Sequence, residues 1–239
     1  MVCTINMTRL PRSMGGSLTE TRARVAAVSG LLAVVVMTAG WIVAGLLQPA
    51  SYNWSAQEIS DLGALTAQHA WVWNTADSLA GLLLVAFAVG VFPLFRAGRP
   101  GRFAVTSIGL VGIGSMLDGL LREDCPLSTS EACQRLQDGP GLSWHHQVHD
   151  IESVIVVAAM LVGPFMLARA FRRVDRLSGL RIYSLGTGGA MALFVVAYLL
   201  LYGDDGAGLA QRALVILYLA WIAALAILIF RARARAIKV

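Results

Sequence analysis

The stretch that decides the fold is Trp144-His145-His146-Gln147-Val148-His149-Asp150-Ile151-Glu152, which holds three of the four histidines and leads into the apolar run Ile151–Ala170. A run of about 20 apolar residues is long enough for a helix to cross the hydrocarbon core of a bilayer. At the start of such a helix, His145 and His149 lie four residues apart on one face, with Glu152 three residues further on. The stretch therefore predicts a membrane helix whose first turns carry a polar site.

The composition places the whole chain in the membrane class. Of the 239 residues, 57% are hydrophobic and only 14% are charged, whereas a soluble domain carries about 25% charged residues. Because backbone groups cannot stay unpaired in lipid, long apolar runs predict helices. Such runs occur at Val25–Leu47, Trp71–Phe95, Phe103–Leu121, Ile151–Ala170, Ile182–Tyr202 and Ala213–Phe230. The expected fold is an all-α membrane bundle with six transmembrane helices.

The two ends of the chain are predicted to lie outside this bundle. Residues 1–20 are polar and aperiodic, which predicts a disordered cytoplasmic tail. The transmembrane domain is expected to span residues 21–233, and residues 234–239 form a basic cytoplasmic tail. The run Val25–Leu47 is longer than the core of a signal peptide, so we expect it to be a retained helix.

Basic residues predict the orientation of the bundle. They concentrate before the first run, after the second and fourth runs, and after the sixth. By the positive-inside rule, both termini face the cytoplasm of a bacterial plasma membrane. The net charge of +5 is then explained by arginines that meet lipid headgroups, so membrane lipids rather than nucleic acid are the expected partners.

The other three loops should face the outside, and they hold every histidine. Cys125 and Cys133 lie eight residues apart in this oxidising space, so we expect a disulfide. Cys3 is predicted to be a free cytoplasmic thiol.

Two outer loops carry signals for short extracytoplasmic helices. Ser55-Ala56-Gln57-Glu58 has the pattern of a capping box, which predicts a helix over Ala56–Leu62. Gly63 is expected to end that helix in a left-handed conformation. Ser128-Thr129-Ser130-Glu131 repeats the pattern and predicts a second helix that runs to about Gln137.

Two charged residues have competing interpretations. Asp118 lies inside the end of the third run, where an acid is costly and normally faces a partner in the bundle; the alternative is a local pair with Arg122, four residues on. Arg212 is interpreted most simply as a surface ion pair with Asp204 and Asp205, or as a contact to a lipid phosphate.

The histidines suggest a metal site. His145, His149 and Glu152 offer imidazole and carboxylate groups that suit zinc or another divalent metal. However, His146 occupies the place of the glutamate in the known zinc motif with two histidines four apart. The alternative is a helix start that only forms hydrogen bonds with its neighbours. A haem carrier is excluded because all histidines fall at one surface.

Several residues together resemble a known family. Ile59-Ser60-Asp61-Leu62-Gly63 follows the first run, and Asp124-Cys125-Pro126 follows the third. With Tyr52, Asn74 and His149, they resemble the prokaryotic six-helix membrane family catalogued as domain of unknown function 998, over Val25 to Phe230. The resemblance implies polar positions on the outer side and no particular activity or cofactor. The positions that it marks are Ser60, Asp61, Asn74, Asp124 and His149.

We therefore expect a polar pocket that opens to the outside, where helices two, three and four converge with the loop helices. Its predicted lining is Ser60, Asp61, Asn74, Asp77, Asp118, Asp124 and His149. The leading hypothesis is a protein that binds a small ligand or a lipid headgroup, with a sensing or transport role.

Two other functions stay open at this stage. In a metal-dependent hydrolase at the outer leaflet, His145, His149 and one acid would hold zinc, and Glu152 or Asp118 would act as base. In a structural subunit, helix faces with Gly109, Gly112 and Gly186 would meet a membrane-protein partner or a second copy of the chain.

Overall fold

A computed structural model describes residues 15–95, 98–127, 129–139, 141–172 and 177–236. Within these ranges the chain forms helices and no strands, so the all-α prediction is confirmed. The seven α-helices are α1 Gly15–Leu46, α2 Ala70–Val91, α3 Arg99–Asp118, α4 Glu131–Asp138, α5 Trp144–Ala170, α6 Ser178–Leu200 and α7 Ala207–Ala236. Most of the predicted N-terminal tail, and Cys3 with it, lies outside the described residues, as do residues 237–239 of the C-terminal tail.

Five of these helices are long and apolar enough to cross a membrane. The spans are Thr21–Leu46, Ala70–Phe95, Trp144–Ala170, Ser178–Leu200 and Ala207–Arg231. Their outward surfaces carry large apolar side chains such as Val35, Leu82 and Leu193, each more than half exposed. Side chains of this kind face lipid at no cost, so the chain is a membrane protein.

Helix α3 is not among these five, although the sequence predicts a sixth span at Phe103–Leu121. The helix begins four residues earlier than that run, at Arg99, and it includes Arg102 and Asp118 among only 20 residues. These charges, together with several glycines and serines, lower its mean hydropathy. It nevertheless packs lengthwise against α2 and α5.

The six long helices form a closed ring in chain order. Each packs against the one before and the one after, from α1 through α2, α3, α5, α6 and α7, and α7 returns to α1. Large buried side chains fill the middle, among them Phe87, Ile108, Tyr218 and Trp221. The ring leaves the ends of all six helices around one central axis.

The tightest contact in the ring is between α2 and α3, where two glycines face each other. A Cβ atom on Gly81 would lie 2.5 Å from the Gly112 carbonyl oxygen, and one on Gly112 would lie 2.7 Å from the Gly81 carbonyl oxygen. No side chain fits there, so the two backbones touch directly. Gly112 thus packs inside the chain, whereas Gly186 on α6 faces open space.

The loop after α1 differs from its prediction. A single 3-10 turn at Ser60–Gly63 replaces the expected helix over Ala56–Leu62. The predicted capping box is wrong, because the Ser55 hydroxyl donates to Asn53 Oδ1 at 2.7 Å instead of capping a helix. Gly63 belongs to the 3-10 turn and is not among the positive-φ glycines of the described residues.

The loop after α3 contains the second short helix, α4. It begins at Glu131, where the Ser130 hydroxyl accepts a hydrogen bond from the Cys133 backbone at 3.3 Å. The predicted disulfide is present between Cys125 and Cys133, whose Cα atoms are 5.8 Å apart. It joins α4 to the segment that follows α3.

Candidate functional site

The ring encloses a cavity of about 540 Å³ at the end where α2, α5 and α7 begin and α3 and α6 end. Its walls are apolar over much of their area, with Val157, Met160, Val195 and Leu214 among the lining residues. Seven carboxyl groups also line it, on three helices and two loops: Glu58, Asp61, Asp77, Asp118, Glu123, Asp150 and Glu152. The cavity is therefore both acidic and apolar.

The seam between α2 and α3 places two of these acids side by side. Asp77 lies one turn before Gly81 and is buried. Its carboxyl group hydrogen-bonds to Asp118 and to the Ser115 hydroxyl on α3. Because the helices touch at glycines, the backbones that carry the two acids lie close together.

His149, at the start of α5, lies between two acids from different parts of the chain. Its Nδ1 atom is 2.9 Å from Asp118 Oδ1, and its Nε2 atom is 2.8 Å from Glu123 Oε1. The partner of Asp118 is thus His149 rather than Arg122. The Arg122 side chain turns away, and its Nε atom donates to the Gly63 carbonyl at 3.2 Å.

The 3-10 turn contributes Ser60 and Asp61 to the cavity. Asp61 is only 4% exposed, and its carboxylate accepts a hydrogen bond from the Glu58 backbone at 2.8 Å. Burial raises the pKa of Asp61 well above its usual value, and the nearby charges of Glu123 and Glu58 raise it further. Asp61 is therefore a buried acid of the cavity lining, next to Glu58 and Glu123.

The opposite wall is built around Glu58. Its carboxylate accepts hydrogen bonds from the Tyr198 hydroxyl on α6 at 2.8 Å and from the Gln211 side-chain amide on α7 at 3.2 Å. Gln211 also accepts from the Ile59 backbone at 2.6 Å. Glu58 is therefore a bridge between the first loop and two helices rather than a solvated surface acid.

Arg212 fixes the first loop onto α7. It is 4% exposed, and Nη1 donates to the carbonyls of Trp54, Gln57 and Gly208 at 2.9, 2.6 and 3.0 Å. Nη2 donates to the Tyr52 hydroxyl at 2.6 Å.

The same guanidinium also lies 5.8 and 5.3 Å from the ring centres of Trp41 and Trp54, at cation–π distance. Burial raises the pKa of Tyr52 to about 12, although the adjacent Arg212 opposes this shift. Both earlier interpretations of Arg212 are wrong, because its contacts are internal; Asp205 instead accepts a hydrogen bond from Asn53.

Asp124 is outside the cavity lining and organises the loop instead. Its Oδ2 atom accepts from the Ser143 backbone at 2.7 Å, and its backbone donates to His146 Nδ1 at 3.0 Å. Partial burial tends to raise the pKa of Asp124, but the Ser143 bonds and the charges of His145 and His146 outweigh it, so the pKa is lowered. Asp124 thus connects the segment after α3 to the start of α5.

Asn74 is also outside the cavity lining. Its amide donates to the Gly63 carbonyl at 3.3 Å, and a Cβ atom on Gly63 would lie 2.4 Å from Asn74 Oδ1. Glycine at position 63 therefore leaves room for Asn74. Of the seven residues in the predicted lining, Ser60, Asp61, Asp77, Asp118 and His149 line one cavity.

The three predicted metal ligands do not all meet. His149 and Glu152 come together with Asp118, and one ligand atom from each lies within 4.8 Å of the others. His145 points elsewhere: its Nδ1 atom is 2.6 Å from the Arg122 carbonyl, and its Nε2 atom is 3.7 Å from Asp124 Oδ1. Asp118 takes the place that the sequence assigns to His145.

Glu123, Tyr198 and Gln211 are site residues that the sequence does not reveal. Glu123 carried one signal, because it directly precedes Asp124 in an outer loop. Tyr198 is near the outer end of a predicted helix, but nothing local indicates that its hydroxyl faces Glu58. Gln211 opens the last helix next to Arg212, with no motif around it.

Comparison with known proteins assigns the chain to a family. The family described as Protein of unknown function (DUF998) matches residues 26–228. No curated protein and no solved structure matches the chain. The match includes the five apolar helices almost entirely, the 3-10 turn, Asp118 and His149. The protein therefore belongs to the DUF998 family, whose function is not defined.

Proposed function

We propose that this protein binds a small cationic ligand with an apolar body in the cavity at the end of the helix ring. The observation that carries the proposal is the charge of the lining. Seven carboxyl groups face the cavity, and no lysine or arginine is found among the described residues that line it. A sensing or transport role would use this binding step.

The charge of the lining also discriminates between ligands. A phosphate-bearing headgroup would meet carboxylates of its own sign, and Arg212 is already engaged by the first loop. A cation would instead meet Glu58 and Asp61, with the rings of Tyr198 and Tyr202 close by for cation–π contact. The valine and leucine walls suit a hydrocarbon body.

We propose further that α3 crosses the membrane as a sixth span, with both termini in the cytoplasm of the bacterial plasma membrane. Its position in the ring between α2 and α5 supports this, since a ring member shares the depth of its neighbours. The Cys125–Cys133 disulfide supports an oxidising environment at the cavity end. A fluorescent protein fused to the C-terminus should fluoresce, whereas periplasmic alkaline phosphatase fused there should be inactive; the reverse pattern would refute the orientation.

The ligand proposal is tested with two ions of matched shape and opposite charge. Tetraphenylphosphonium and tetraphenylborate are added to the full-length protein in detergent, and saturable binding is measured by equilibrium dialysis. We expect the phosphonium to bind at least about tenfold more tightly, a difference of about 1.4 kcal/mol. Equal binding, or preference for the borate, would refute the proposal.

Variants locate the binding site. Glu58→Gln combined with Asp61→Asn should weaken phosphonium binding. The matched control is Glu131→Gln, whose carboxylate is exposed on α4 and remote from the lining, and it should leave binding unchanged. A double variant that stays folded and binds the phosphonium like the unaltered protein would also refute the proposal.

A further inference from the structure

Three metal-ligating side chains from two helices converge at the inner end of the cavity. Asp118 is the last residue of α3, while His149 and Glu152 lie three residues apart on one face of α5. One ligand atom from each lies within 4.8 Å of the others. Three protein ligands around one point are typical of a metal centre that keeps a further position for water or substrate.

Two buried atoms in this group have no hydrogen-bond partner among the described residues: His149 Nδ1 and Glu152 Oε1. The histidine side chain is only 4% exposed. Although Nδ1 lies 2.9 Å from Asp118 Oδ1, the two atoms lack the alignment of a hydrogen bond. Buried polar atoms are normally paired, so a nitrogen and an oxygen without hydrogen-bond partners in one cluster of possible ligands leave a role for a bound cation.

The residues behind the three ligands have the arrangement found around metal-binding histidines. Glu123 lies 2.8 Å from His149 Nε2. A proton held on that nitrogen would leave the Nδ1 lone pair for a cation. Asp77 hydrogen-bonds to Asp118 from the other side. Both supporting acids are buried, and they fix the orientation of the two ligands.

The backbone leaves room for the third ligand. Gly114 on α3 faces α5, and a Cβ atom there would lie 2.2 Å from Glu152 Oε1. Any other residue at this position would push the carboxylate away. The absence of a side chain on α3 thus allows Glu152 to reach the group formed by Asp118 and His149.

We propose that Asp118, His149 and Glu152 form a binding site for a divalent transition metal ion, with Zn²⁺ as the ion of choice. Imidazole and carboxylate ligands suit zinc. Four buried or half-buried acids around a single histidine also make a divalent cation favourable, because unpaired buried charge is costly. The site goes beyond the proposed binding of an organic cation: its ligands are Asp118, His149 and Glu152, whereas the organic cation would contact Glu58 and Asp61 of the same cavity.

The test measures zinc itself. The full-length protein, purified without a histidine tag, is stripped with a chelator, incubated with Zn²⁺, desalted and analysed for bound metal. We expect one equivalent of zinc per chain. Replacement by Co²⁺ should give visible absorption bands that depend on the same residues. If the unaltered protein retains no stoichiometric zinc, the proposal is overturned.

Isosteric variants separate a metal site from a buried ion pair. Glu152→Gln and Asp118→Asn should each weaken zinc binding at least about tenfold, while Glu131→Gln should bind zinc as the unaltered protein does. Size-exclusion profiles show which variants are folded, and Glu123→Gln, behind the ligands, should weaken zinc binding even if Asp118→Asn does not fold. Folded Glu152→Gln that keeps full zinc affinity would overturn the proposal. Dialysis with the phosphonium ion is a separate measurement, so either site can fail alone.

Discussion

The contacts that Arg212 makes with the first loop lead to a prediction about the stability of the protein. Arg212→Ala removes three hydrogen bonds to the first loop, two of them to backbone carbonyls, and one to the Gly208 carbonyl on α7, together with two cation–π contacts. The acceptors would stay at an interface that water barely reaches, because Arg212 is 4% exposed. A hydrogen bond to a charged group contributes about 1.5–3 kcal/mol, so the loss of this set should cost about 3–5 kcal/mol.

The assay is thermal unfolding in detergent, followed by tryptophan fluorescence. For a chain of this size, each kcal/mol lowers Tm by about 2–4 °C, so Arg212→Ala should melt roughly 6–20 °C below the unaltered protein. Arg212→Lys keeps the charge but loses the planar fork, and its Tm should lie between the two.

A matched variant controls for the loss of an arginine. Arg135→Ala removes an exposed side chain of α4 whose partner is Glu131, 3.5 Å away, and surface pairs of this kind contribute about 0–1 kcal/mol. Its Tm should therefore stay close to that of the unaltered protein. If Arg212→Ala and Arg135→Ala had the same Tm, Arg212 would not hold the first loop. The explanation of how Glu58 and Asp61 reach the cavity would then be wrong.

Two further predictions concern the helix seam and the loop. Gly112→Ala should destabilise the protein by about 1–3 kcal/mol, because its Cβ atom would lie 2.7 Å from the Gly81 carbonyl oxygen. Gly186 faces open space, so Gly186→Ala should leave Tm unchanged. Equal Tm values for the two variants would contradict the close contact between α2 and α3. Asp124→Asn should lower Tm at pH 7, because it weakens the bonds to Ser143 and removes a charge beside two histidines. The pKa of Asp124 is lower in the folded protein than its usual 3.8, so this stabilisation is present above about pH 4 and is lost as the pH falls below it. The Tm difference between Asp124→Asn and the unaltered protein should therefore shrink at pH 3, and a difference that is the same at both pH values would contradict it.

The parts of the fold that the sequence predicts are those set by local composition. Apolar runs gave five spans because hydrocarbon leaves the backbone no alternative to helix. The Cys125–Cys133 disulfide followed from the compartment that the loops were expected to face. The prediction of a short helix at Ala56–Leu62 was wrong. The Gln57 carbonyl, which would accept a hydrogen bond inside that helix, instead accepts one from Arg212, more than 150 residues away.

In the candidate site, too, local sequence predicts some features, while others depend on distant residues. Polar residues at helix ends on one side predict a shared region, and Asp61, Asp77, Asp118 and His149 do line one cavity. Which of two histidines faces the cavity depends on how α5 begins. Asp124 binds the Ser143 backbone and draws His145 towards the loop, and nothing in the local sequence indicates this.

The glycine seam between α2 and α3 also determines which part of the cavity can change shape. Since main chain meets main chain there, the separation of the backbones that carry Asp77 and Asp118 does not depend on side chains at the contact. A thinner or thicker bilayer tilts whole helices, and α2 and α3 would tilt together. Adjustment would fall to α6, which is the least buried of the five apolar spans, at 22% against 33–44% for the others, so the Tyr198 side of the cavity would deform while the acid pair stays in register.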